Sequence, residues 1–171
     1  MKDYFALLAR YNLWATRRLY ESLDTLPEAD YRGDTGLFFR SIHGTLNHLL
    51  VASDRIWYRR FAEGLSPRDV QLSDELETDR AALKAALLRD AERWCDLVTG
   101  LPAERYAGTI EYTTMRGTAA VLPFAATLGH VFNHGTHHRG QITAALTARG
   151  HSGPELDWVY MLQQEQARPA G

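Results

Sequence analysis

Apolar side chains recur every three or four residues through four long stretches of this 171-residue chain. Such spacing gathers them on one face of an α-helix, which then has to be buried against a partner. In residues 2–26 the stripe is Tyr4, Leu8, Tyr11, Ala15, Leu19, Ser22 and Leu26, and Pro27 ends it. Residues 28–36 are polar, hold Gly33 and Gly36, and read as a loop. In residues 37–63, Phe38, Ile42, Leu46, Leu49, Ser53, Ile56 and Arg60 form one side, widened by Phe39, Leu50, Trp57 and Phe61. Residues 73–99 predict a third helix, with Ser73 as N-cap, an acidic first turn and a stripe of Leu76, Leu83, Leu87, Trp94 and Val98. Residues 106–122 are rich in Thr, Tyr and Ile and turn at Gly117, which predicts a small hairpin or a long crossing loop. Residues 123–149 predict a fourth helix, with Pro123 at its first position and Gly150 just past its end. A short helix follows from near Asp157. The expected fold is all-α, a four-helix bundle in a single domain spanning 1–171.

Composition removes several function classes. A formal net charge of −2 argues against a nucleic-acid partner. A lone cysteine, Cys95, excludes an internal disulfide and a Cys-rich zinc module. Placed between Trp94 and Asp96, it reads as a small buried hydrophobe rather than a nucleophile. No apolar run approaches the ~18 residues of a membrane span, and Met1-Lys2-Asp3-Tyr4 does not lead into a signal-type apolar core. The expectation is a cytoplasmic protein with no membrane partner.

Histidine is distributed unevenly. Of seven histidines, His130, His134, His137 and His138 lie together in the fourth helix, in the string His130-Val131-Phe132-Asn133-His134-Gly135-Thr136-His137-His138-Arg139-Gly140-Gln141. Two imidazoles four residues apart on a helix share a face and can chelate one divalent ion, with a third ligand from elsewhere. At about 100° per residue, Val131, Ile142, Ala145 and Arg149 fall within about 40° of His138, and His134 lies about 40° to the other side. His134 and His138 therefore face inward together. His130 and His137, about 80° and 100° away, belong to the rim. Gly135 and Gly140 each cost about 1 kcal/mol against Ala in a helix interior, which points to close approach or cavity space beside the pair. Arg139, about 100° from His138, reads as a surface ion pair, whereas Gln141, about 60° off, can hydrogen-bond a ligating ring. Trp57 is a candidate pocket-lining residue, and His151, in a Gly-Pro loop, reads as solvated. For the third ligand, a small-residue stripe beside His48 favours it weakly over His43, with Asp54 as a carboxylate alternative.

His48-Leu49-Leu50 followed by Asp54 and Trp57, and then the string from Asn133 to Gln141, resemble the DinB family, which comprises damage-inducible DinB proteins and YfiT-like metalloenzymes. The resemblance runs from the first helix to about residue 162. It implies a bundle holding a divalent ion, nickel, zinc or iron, on three histidines, which fall here on His48, His134 and His138. It also implies a homodimer. Three protein ligands leave a coordination position open, the pattern of catalytic rather than structural sites. Relatives that use small bacterial thiols imply S-transfer with a low-molecular-weight thiol cosubstrate. The rival readings are a non-catalytic metal-binding stress-response protein and a metal-dependent hydrolase, the latter without a His-Glu-x-x-His general base.

Overall fold

The computed structural model describes residues 1–167. Four helical rods make the bundle: α1 (Lys2–Leu23), a second rod, α5 (Arg80–Gly100) and α6 (Phe124–Ala148). The second rod runs through α3 (Ile42–Leu50), a π-helical stretch (Val51–Tyr58) and α4 (Arg59–Ala62). A short α2 (Glu28–Arg32) lies between the first two rods, in the segment predicted as loop, and α7 (Trp158–Ala167) closes the chain. Between α5 and α6 the chain forms the hairpin alternative of the sequence reading. Strands β1 (Thr109–Thr113) and β2 (Ala119–Pro123) pair antiparallel, Ile110 facing Leu122, around Gly117 at φ 85°. Pro123 ends β2 and serves as N-cap of α6, one position earlier than expected. Gly150 (φ 80°) stands just beyond α6, as the sequence predicted.

Two predicted starts move. The second rod begins at Ile42, not at residue 37, because the Ser41 side chain accepts a hydrogen bond from the Gly44 N–H. The third begins at Arg80, with Asp79 rather than Ser73 as its cap, accepting from the Ala82 N–H at 2.7 Å. The acidic run before it is held by other rods instead. Asn47 donates to the Glu77 carbonyl and accepts from the Glu77 N–H, both at 3.0 Å, and Glu75 meets His43 at 2.7 Å. With its backbone groups committed to α3, the segment forgoes helix. Along α1 the predicted stripe is buried at Tyr11, Ala15 and Leu19, whereas at its N-terminal end Phe5 and Ala9 are buried and Tyr4 is 52% exposed.

The core has two apolar halves. One gathers Leu19, Leu23, Ile42, Leu46, Leu83, Leu87, Ile142 and Leu146. The other gathers Phe5, Ala9, Trp94, Val98, Phe124, Leu128 and Phe132 around edge-to-face rings such as Phe61–Phe124 at 4.9 Å. At the waist between them every rod contributes polar groups: Asn12 and Thr16, Ser53, Asp90, and His134 and Arg139.

Arg139 was expected at the surface and is instead buried, 3% exposed. The buried positions of α6 include Phe132, Gly135, Arg139, Ile142 and Leu146 as well as Val131, His138 and Ala145. That arc is about 140° wide, because α6 packs against more than one neighbour, so an offset of about 100° from His138 still points inward. His151 also differs from its solvated reading, meeting Asp30 Oδ2 at 2.8 Å. Among the described residues no helix is long and apolar enough to cross a membrane.

The two α6 glycines separate. A Cβ on Gly135 would stand 3.1 Å from Arg139 Nη1 and 3.2 Å from Asn12 Oδ1, so Gly135 admits the Arg139–Asn12 contact. Gly140 is exposed, and a Cβ there meets nothing within 4 Å, so it makes no room for the site. Gly135→Ala is expected to lower unfolding stability by about 1–3 kcal/mol, whereas Gly140→Ala should raise it by up to about 1 kcal/mol. Urea denaturation of the two variants checks both signs.

Candidate metal centre

Three imidazoles from two rods converge near the waist. His48 comes from α3, and His134 and His138 come from successive turns of α6. His134 Nε2 lies 3.1 Å from His48 Nε2 and 3.1 Å from His138 Nε2, and one ring nitrogen from each of the three falls within 4.8 Å of the others. No fourth His, Cys, Asp or Glu joins the group among the described residues.

The partners of the outer nitrogens fix which ring nitrogens carry protons. His48 Nδ1 donates to the Leu72 carbonyl at 2.9 Å, and His138 Nδ1 donates to Gln141 Oε1 at 2.7 Å. In a neutral ring the other nitrogen is then a bare lone pair. Two lone pairs thus point at His134 Nε2. A proton on that nitrogen answers one of them; a shared cation answers all three rings. Metal–nitrogen bonds of about 2.0–2.1 Å at tetrahedral angles set ligand nitrogens about 3.4 Å apart, close to the 3.1 Å contacts here. The residues present fit a divalent ion.

Electrostatics favour the same state. Burial pushes His48 down to about 4, with help from the charge of His138 and against the Leu72 hydrogen bond. Burial, then the charges of its His neighbours, pushes His134 down to about 3. Burial lowers His138 also, opposed by Gln141. All three rings are neutral at pH 7, as ligation demands.

Packing holds the rings in place. Phe39 stacks on His48 with centroids 3.8 Å apart and planes 14° from parallel, and it meets His138 edge-on at 5.8 Å. Arg40, at φ 66°, makes the reversal beside it. The Asn47 clamp on Glu77 secures the segment that carries the Leu72 carbonyl. His130 and His137 are exposed at the rim, His130 edge-on to Trp57 at 5.3 Å. The two alternative third ligands are engaged elsewhere, His43 with Glu75 and Asp54 with Arg93. Cys95 is half-buried, its thiol pushed up by burial, and is not part of the cluster. Trp57 does line a cavity, behind His134.

Sequence reasoning missed Phe39, Leu72, Asn47, Asp90 and Arg139. Asp90 was detectable, since it stands three residues after Leu87 and four before Trp94, on the buried stripe of α5. Leu72 carried no periodic signal, and Phe39, counted with the apolar side of the second helix, lies in a turn before that helix; both meet His48 only through folding.

The model for the DinB family matches residues 1–168. The chain belongs to the DinB family. It is 29% identical over 182 residues to Protein DinB of Bacillus subtilis (strain 168), covering 98% of this chain and 100% of that protein. Its fold is similar to that of YfiT from Bacillus subtilis, described as a probable metal-dependent hydrolase with an unusual four-helix bundle topology. The TM-score is 0.69 at 16% identity, over 88% of this chain and 89% of that one. This DinB-family chain shares the four-helix architecture and brings together the three histidines that its sequence motifs single out.

His134→Ala or His138→Ala should abolish stoichiometric metal in protein purified without a His tag, and His130→Ala should retain it, as read by elemental analysis. Gln141→Ala should weaken binding about 10–100-fold in chelator competition. In the metal-free protein, the unfolded chain takes up protons near 6.5 that His48 and His134 resist until about 4 and about 3. Stability should therefore fall as pH drops from about 6.5 towards 4, measurable by denaturant midpoints across that range.

Proposed function

We propose that this protein is a metalloenzyme in which a divalent ion on His48, His134 and His138 activates a low-molecular-weight thiol for S-transfer to an electrophile. The observation that carries the reading is the donor set: three neutral nitrogens converge, with no carboxylate or thiolate in the group among the described residues. Such a set leaves the ion's positive charge undiminished, and when bound the ion favours the ionised form of a thiol or water at neutral pH. The protein's own share is positioning. The Leu72 carbonyl and Gln141 orient the His48 and His138 rings, and Phe39 fixes the plane of His48 by stacking on it. Exposed His130 and His137 put the cluster near the surface, where a small cosubstrate has access.

Hydrolysis is the second reading, favoured by the description of YfiT as a probable metal-dependent hydrolase. Against it stands the donor group itself, which contains no carboxylate among the described residues, and the lack of a His-Glu-x-x-His sequence to supply a general base. A third reading is a metal-binding protein without catalysis.

The test loads the protein with zinc, nickel or iron and offers glutathione, mycothiol, bacillithiol or cysteine with monochlorobimane. p-Nitrophenyl acetate without thiol serves as the hydrolytic arm. Thiol conjugation that falls at least about 100-fold in His138→Ala is the expected result. Ester cleavage alone would transfer the assignment to hydrolysis, and silence in every arm would support the non-catalytic reading.

A further inference from the structure

The waist of the bundle holds two buried groups of opposite charge type whose hydrogen-bonding capacity the protein leaves unfilled. Arg139 has neighbours but no carboxylate partner among the described residues. Its Nη1 donates to Asn12 Oδ1 at 2.7 Å, its Nη2 donates to Thr136 Oγ1 at 3.3 Å, and the Tyr11 ring lies 5.6 Å away. Its Nε has no partner. Asp90 accepts from Ser53 through Oδ2, and Ser53 in turn accepts from Trp94 Nε1 at 2.8 Å; Asp90 Oδ1 has no partner. Both side chains are buried, at 3% and 4% exposure. An unpaired buried charge is strongly unfavourable, so each group requires an answering one.

Both line one cavity of about 40 Å³, together with Asn12, Thr16, Ser53 and His134. At about 10–15 Å³ each, that volume accepts about three water molecules, and the walls offer the several polar partners that buried water needs. The third metal ligand borders the same space. His48 and His138 each give their outer nitrogen a protein acceptor, whereas His134 Nδ1 has none among the described residues. A ligating imidazole whose Nε2 faces an ion carries its proton on Nδ1 and needs an acceptor there.

We propose that water in this cavity joins the Asp90 carboxylate, the Arg139 guanidinium and the Nδ1–H of His134 into one network, making Asp90 a positioning residue for His134. Asp90 and Arg139 then form a water-bridged ion pair that spans α5 and α6. The acceptor end of the network turns towards the His134 ring and the donor end towards Asn12. The same arrangement accounts for Gly135, whose missing side chain lets Arg139 reach Asn12 beside the cavity. Burial raises Asp90 to about 7, opposed by its Ser53 hydrogen bond, and the network offsets that cost.

This inference rests on the metal-centre reading for its His134 half. A crystal structure of the zinc-loaded protein should show ordered water touching Asp90 Oδ1, Arg139 Nε and His134 Nδ1. A double-mutant cycle of Asp90→Asn and Arg139→Gln in the metal-free protein should give coupling of at least about tenfold in the unfolding constant, although the two side chains form no direct hydrogen bond or ion pair. Asp90→Asn should also weaken zinc about tenfold in chelator competition and shift the visible bands of the cobalt-loaded protein, a change that His130→Ala should not produce. A dry cavity, additive variants, or Asp90→Asn with unchanged zinc affinity and cobalt spectrum would each overturn the proposal. If Asp90→Asn does not fold, the wild-type crystal and a histidine-¹⁵N spectrum decide, the latter through the presence or absence of a slowly exchanging His134 Nδ1 proton. Wild-type protein that binds no zinc would instead defeat the metal-centre reading, while the cycle would still decide the Asp90–Arg139 pair.

Discussion

Three imidazoles can turn bare nitrogens towards one point only if each remains neutral and carries its proton on the outer nitrogen. That requirement shapes this protein more than any apolar contact. It commits the Leu72 carbonyl to His48 and Gln141 to His138. The first commitment reaches far beyond the site. To hold Leu72 in place, the chain before α5 lies across α3 as an irregular segment, clamped by Asn47, and gives up helix that its own acidic composition would have favoured.

The polar waist divides the core. Leucine and isoleucine dominate one half and aromatic rings the other, and the layer between them carries Asn12, Thr16, Ser53, Asp90 and Arg139. A continuous apolar core through the same rods would bury more surface favourable to folding. A layer of this kind costs stability while fixing the register of the rods, since a one-turn slip would strand a buried guanidinium or carboxyl group. The π-helical stretch belongs to the same compromise. It carries Ser53 towards Asp90 and Trp57 towards His134 in the middle of the second rod, where inserted turns of this type tend to serve function.

Metal chemistry and scaffold are thus connected through α6. One arc of that helix supplies His134 and His138, and the adjoining arc supplies Gly135 and Arg139. The donors are rigid because the helix is buried on both arcs. The site still approaches the surface, because His130 and His137 on its outer edge are exposed. Rigid donors near an accessible edge are what the proposed thiol chemistry would use, whereas a structural ion is closed by four protein ligands.

The amino-acid sequence by itself determined the four rods, since three-and-four spacing of apolar residues dictates which face of each helix is buried. It also determined the inward pair His134 and His138, because both sit on one helix and their relation is local. His48 was only weakly favoured by its small-residue neighbours, and the family resemblance singled it out. Helix spacing cannot tell which residue of another rod will arrive opposite. The tertiary structure alone decided the rest. Arg139 turned inward because α6 meets neighbours on two sides. The acidic run before α5 stayed irregular because Asn47 and His43 hold it. Leu72 reached His48 from a segment with no periodicity to read, and Phe39 from a turn that the apolar pattern assigns to the second rod. Contacts within a helix follow from its geometry, whereas contacts between distant segments depend on how the rods pack, which single-residue patterns do not encode.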